Sequence, residues 1–125
     1  MAHRLLLNAA EQGHAKAQHL FGTMVLDGLG VTADPAEALR WFRLAAAQGS
    51  ADAQSDIGLL YARGRGVVLD ENVAVEWFQM AADQGNAAAK NNLGVMYQEG
   101  RGVDTDFAAA ASWFRAAAVQ GHPLA

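Results

Sequence analysis

The sequence predicts an all-α chain, an α-solenoid of stacked helix pairs, and three observations predict it. First, the 36-residue segment from Ala51 to Asn86 occurs three times, with Ala15 to Ser50 before it and Ala87 to His122 after it. A fixed period of this size marks a repeat array, whose units bury their apolar faces on one another. Second, all 13 glycines fall on that register. Gly22, Gly58 and Gly94 align, as do Gly28, Gly64 and Gly100, then Gly30, Gly66 and Gly102, and finally Gly13, Gly49, Gly85 and Gly121. Third, the three tryptophans coincide, each followed by phenylalanine: Trp41-Phe42, Trp77-Phe78 and Trp113-Phe114.

Taken in order, residues 1–14 read as a partial repeat. Ala9, Ala10, Gln12 and Gly13 match Ala45, Ala46, Gln48 and Gly49, so the chain opens inside a second helix, with Leu5 and Leu6 in the Trp-Phe slots. Repeats follow at 15–50, 51–86 and 87–122, with the start of a further repeat at 123–125, all in a single solenoid domain over 1–125. Solenoid ends usually carry a polar cap, so these ends suggest a fragment of a longer array.

First helices are expected near 15–27, 51–63 and 87–99. In the middle one, Ala53, Ile57, Leu60 and Tyr61 fall on one face of a 3.6-residue period. Second helices are expected near 35–48, 71–84 and 107–120, where Ala74, Trp77, Phe78 and Ala81 share a face. Gly28, Gly64 and Gly100 stand where a left-handed C-cap ends the first helix, and Gly49, Gly85 and Gly121 where one ends the second. Asp34, Asp70 and Asp106 are expected N-caps, with Pro35 at the first helical position and Glu37 completing a capping box. Gly22, Gly58 and Gly94 lie inside a helix, where glycine costs about 1 kcal/mol against alanine. That cost calls for close approach of a tryptophan or phenylalanine ring over the bare backbone.

At this point the chain resembles a known family. Ala87-Ala88-Ala89-Lys90-Asn91-Asn92-Leu93-Gly94-Val95-Met96-Tyr97, Gly100-Arg101-Gly102-Val103 and Trp113-Phe114-Arg115-Ala116-Ala117-Ala118 with Gln120-Gly121 are similar to the Sel1-like repeat (SLR). That family is an offshoot of the tetratricopeptide (TPR-like) helical hairpins. The resemblance implies a right-handed superhelix of antiparallel helix pairs, with the first helices on its concave side. It also implies a non-catalytic adaptor that assembles other proteins, in bacterial signalling, secretion and host interaction or in eukaryotic endoplasmic-reticulum degradation. Some members carry a cysteine pair in each repeat, which this chain lacks; Phe21 and Val25 also replace the usual leucine and tyrosine.

Composition narrows the chemistry. The net charge of −4 leaves no basic stripe for nucleic acid. Without cysteine there is neither disulfide nor thiolate chemistry. Leu5-Leu6-Leu7 is too short a run for a signal peptide or membrane insertion, which with the missing cysteine favours the cytoplasm. Gly64-Arg65-Gly66 and Gly100-Arg101-Gly102 lack the strand, the third glycine and the Gly-Lys-Ser/Thr of phosphate loops, and read as connections whose arginines are solvated or pair with a neighbouring repeat. His14 and His19, five apart, do not share a helical face as zinc ligands do. Ser50, Ser55 and Ser112 have no histidine in register to act as base. No enzyme, metal site or cofactor is expected.

Function is expected where the repeats differ. The variable stripe on the middle first helix is Asp52, Ser55, Leu59, Ala62 and Arg63, opposite the core slots. Its counterparts are Lys16, His19, Thr23, Leu26 and Asp27 before it, and Ala88, Asn91, Val95, Gln98 and Glu99 after it. Side by side, these stripes form a groove of mixed polarity that suits a peptide or protein segment. The alternative is an architectural spacer that associates end to end through its exposed terminal helices.

Overall fold

A computed structural model describes residues 2–121, so His122 and the expected repeat start at 123–125 lie outside it. The described residues form seven helices and no strand. These are α1 (Ala2–Glu11), α2 (Ala15–Asp27), α3 (Pro35–Ala47), α4 (Ala51–Arg63), α5 (Glu71–Asp83), α6 (Ala87–Glu99) and α7 (Phe107–Gly121). Each packs on the helices before and after it, most extensively within the pairs α2/α3, α4/α5 and α6/α7. The first helices begin and end where the spacing places them.

Capping follows the sequence with two corrections, at Glu37 and at Gly121. The side chains of Asp34, Asp70 and Asp106 accept from the backbone N–H groups of Glu37, Val73 and Ala109 at 3.0–3.2 Å. Glu37, however, does not close a capping box: its carboxylate accepts instead from the Trp41 indole at 3.4 Å. The Asp34 N–H is already taken by the Val25 carbonyl, as those of Asp70 and Asp106 are by Tyr61 and Tyr97. With that donor satisfied in every repeat, a back-reaching glutamate has nothing to bond. Ser50 and Asn86, each just after the glycine that ends the preceding second helix, cap α4 and α6, whereas the side chain of His14 in the same slot makes no cap bond. Gly64 ends α4 in the left-handed conformation, φ 62°, which only glycine adopts without strain. At Gly121 the expectation fails, because α7 runs through that residue.

The core is alanine, aliphatic residues and phenylalanine. Phe42, Phe78, Ile57 and Leu93 are the largest fully buried side chains, while Trp41 and Trp77 pack against the core half-buried. The ring over each helical glycine is therefore phenylalanine, not tryptophan. A Cβ at Gly58 would lie 2.6 Å from Phe78 Cδ1 and Cε1, and one at Gly94 would lie 2.7 Å from the same atoms of Phe114.

Within each of the first two full repeats, a glutamine pair that periodicity did not expose ties the second helix to the first. Gln48 donates to Gln18 Oε1 and Gln84 to Gln54 Oε1, each at 2.8 Å, and Gln18 in turn donates to the Ala10 carbonyl. Gln18 and Gln54 are buried, so these bonds satisfy polar atoms that burial would otherwise penalise. The loops also stack. Gly66 lies against the backbone of Pro35 and Gly102 against that of Glu71, at the start of the preceding repeat's second helix.

Candidate partner-binding site

The first helices α2, α4 and α6 stand side by side, and direct bonds cross their seams. Arg65 Nη2 donates to the Leu26 carbonyl at 3.0 Å, and Arg101 Nη2 to the Ala62 carbonyl at 2.9 Å. Arg101 also pairs with Glu71 through Nε at 2.6 Å and reaches Glu99 at 3.5 Å. These arginines are thus clasps from one repeat to the previous one, binding carbonyls left open at a helix C-terminus. Of the two readings of these loop charges, pairing with a neighbouring repeat is the one the structure shows.

His19 bridges the same seam further up, 2.6 Å from Asp56 Oδ2. The hydrogen bond to Asp56 raises the His19 pKa above its ordinary value of 6.5, against the lowering effect of burial, with the charges of Asp56 and Asp52 adding to the rise. The Phe42 ring lies 5.6 Å from the imidazole, and the Thr23 hydroxyl donates to the His19 carbonyl at 3.1 Å. His19 is thus a seam residue, bonded from α2 to α4. Among the described residues no three His, Cys, Asp or Glu side chains are grouped to hold a metal ion.

Burial corrects the expected stripe in the middle repeat. Ser55 is 3% exposed and Ala62 6%, so neither offers a surface for contact. Counting from Asp52, helix geometry turns these slots about 60° and 80° off the face centre, on the side of Leu59 away from Arg63. The same offset carries His19 into its seam bond. Lys16, Asp27, Asp52, Arg63, Asn91, Gln98 and Glu99 are exposed, and Thr23, Leu26, Leu59 and Val95 are half-buried. The sequence reading missed Asp56 and Asn92, both half-exposed and with exposed Leu20 as their counterpart in α2. That slot varies between repeats and lies four residues from Asp52, so i, i+4, i+7, i+11 describes the outward face better than the chosen stripe.

Two hollows open along these helices. One of about 390 Å³ lies between the starts of α2 and α4, lined by Ala15, Lys16, His19, Ser50, Ala51 and Asp52. The other, about 140 Å³, lies between α4 and α6. Its apolar part is Leu59, Ala62, Phe78, Val95 and Met96, and its polar part is Arg63, Asn92 and Arg101. No helix among the described residues is long and apolar enough to cross a membrane.

Comparison with known proteins agrees with the repeat register. The Sel1 repeat family model matches residues 1–14, 15–50, 51–86 and 87–122. Among curated proteins nothing matches. The fold is similar to that of a protective antigen present in uropathogenic Escherichia coli strains and displaying an SLR fold. The two share 39% identity with a TM-score of 0.89, over 93% of this chain and 25% of that one. It is also similar to a Sel1 repeat protein from Oxalobacter formigenes, with 38% identity and a TM-score of 0.93, over 96% of this chain and 48% of that one. The chain thus spans about a quarter and about half the length of these two structures. With period, glycine register, ring-over-glycine packing and family match in agreement, this chain belongs to the Sel1 repeat family.

Proposed function

We propose that the outward face of α2, α4 and α6 binds a segment of a partner protein, making this chain an adaptor. Sel1 repeat proteins are generally protein-interaction modules and typically non-catalytic. The observation that carries the finer reading is that both hollows sit on seams between first helices, lined by variable slots on that face. Lys16, Asp52, Asp27, Arg63, Asn91 and Glu99 point charge and hydrogen-bonding groups outward, while Leu59 and Val95 supply apolar spots between them. Such a surface reads side chains and leaves the partner's backbone extended or helical.

The test is a pull-down with wild type, Arg63→Glu/Asn91→Arg and, on an exposed position of the second helix, Glu76→Arg. All three altered residues are exposed, so the fold should survive each change. Partners lost with the first variant and kept with the second support the reading; partners kept by both refute it. Ser55→Glu is unsuitable, because it would bury a charge rather than probe a surface.

A second reading, end-to-end association, draws on apolar exposure near both ends of the stack. Leu5 is 74% exposed and Val119 67%, whereas Leu6 packs against the core. Leu5→Glu is therefore the informative substitution. Sedimentation that depends on concentration in wild type but not in this variant would favour an architectural role.

A further inference from the structure

We infer that the hollow between α4 and α6 is an anchor pocket for one apolar side chain flanked by a carboxylate on the bound segment. The inference rests on the proposed binding face and names the chemistry that part of it selects. Its floor is Leu59, Val95, Met96 and Phe78, and its volume of about 140 Å³ suits a single side chain of leucine or methionine size. Filling it removes apolar surface from water on both partners, which is the main gain available at so small a site.

The rim decides what accompanies that side chain. Two of its polar groups, Arg63 and Asn92, have no hydrogen-bond or ion-pair partner among the described residues. Arg101 differs, because Glu71, Glu99 and the Ala62 carbonyl already occupy its donors. The unpaired guanidinium is thus the charge on this rim free to act, and it favours a carboxylate through a forked, charge-assisted bond. Beside an apolar floor that bond is less screened than on open surface. The Asn92 amide offers an NH₂ that donates and a carbonyl oxygen that accepts, the complement of a peptide unit, and so suits the backbone of the same segment. The occupant is accordingly an acidic-apolar peptide, not a basic one. The hollow at Lys16, His19 and Asp52 carries mixed charge and makes no such selection.

The experiment is selection of random peptides displayed on phage against immobilised wild-type protein, repeated on Arg63→Glu and Val95→Glu. The expected wild-type consensus places aspartate or glutamate next to leucine or methionine. Arg63→Glu should replace that acid by lysine or arginine, and Val95→Glu should weaken a wild-type consensus peptide about tenfold or more. Circular dichroism of each variant shows whether the helices persist, and Arg63→Lys should retain the acidic preference. A consensus without an acid, or one unchanged by Arg63→Glu, overturns the pocket inference. If such peptides still lose binding on Lys16→Glu or Asn91→Arg, the wider binding face stands. Peptides indifferent to every one of these substitutions overturn both, and so does a failure to enrich any peptide.

Discussion

Replacing Gly58 by alanine sets two opposing effects against each other. In an exposed helix interior the change gains about 1 kcal/mol, because glycine is the poorer helix former. At Gly58 the new methyl would lie 2.6 Å from Phe78 Cδ1 and Cε1 and 3.1 Å from Cζ. Carbon pairs prefer about 3.5–4.0 Å, so the ring must withdraw by roughly 1 Å. Phe78 is 1% exposed, so its ring can withdraw only by pushing on the core or into the hollow between α4 and α6. Overpacking of this kind costs about 1–3 kcal/mol, and contact with three ring atoms places it in the upper half of that range. The expected net loss is about 1–2 kcal/mol, read from urea unfolding followed by circular dichroism. Gly94→Ala provides the internal control. Its methyl meets Phe114 at a similar distance, but that ring is only half-buried and can swing aside, so the net change should be near zero. A Gly58→Ala protein about 1 kcal/mol more stable than wild type would refute the ring-over-backbone account, because propensity alone would then be operating. Equal losses at Gly58 and Gly94 would refute the role assigned to burial of the ring.

Other outcomes follow from the same packing. Phe78→Ala should cost about 3–5 kcal/mol and Trp77→Ala distinctly less in chemical denaturation, since the indole is only half-buried. Gln84→Ala should cost about 1–2 kcal/mol by removing the donor to Gln54 Oε1, and faster hydrogen exchange should appear in α4 and α5. The His19–Asp56 pair should make stability pH-dependent in one direction. Its histidine pKa is raised, so the stabilisation is fully present below 6.5 and lost as pH rises through the folded value. The stability gap between wild type and Asp56→Asn should therefore narrow on going alkaline, and NMR titration should show the His19 midpoint falling in the variant. Arg101→Ala should loosen α6 and α7 against the rest, measured as selective loss of exchange protection there, because the Glu71 and Ala62 bonds go together.

The binding face was harder to read than the scaffold beneath it. Lys16, Asp52, Arg63 and Asn91 were legible as surface residues because they vary at slots far from the core on a helical wheel. Ser55 and Ala62 obey the same rule yet are buried, Ala62 in the cluster that holds Leu93 and Met96 of α6. A wheel drawn for one helix contains no neighbour. Asn92 and Asp56 were passed over for the converse reason, and their standing on the face depends on how far each helix is rotated in the stack.

Period and composition by themselves determined the helix pairs, their limits, the capping aspartates and the need for a ring above Gly22, Gly58 and Gly94. These features are set by contacts within one repeat unit, which the chain spells out three times. Tertiary structure alone decided that phenylalanine rather than tryptophan fills that place, and that the Val25, Tyr61 and Tyr97 carbonyls take the donors a capping box would use. It also decided that Arg65 and Arg101 clasp the previous repeat, and that His19 spends its ring on Asp56. Each of these depends on distances between residues that local periodicity does not relate, and only the stacking of one layer on the next fixes them.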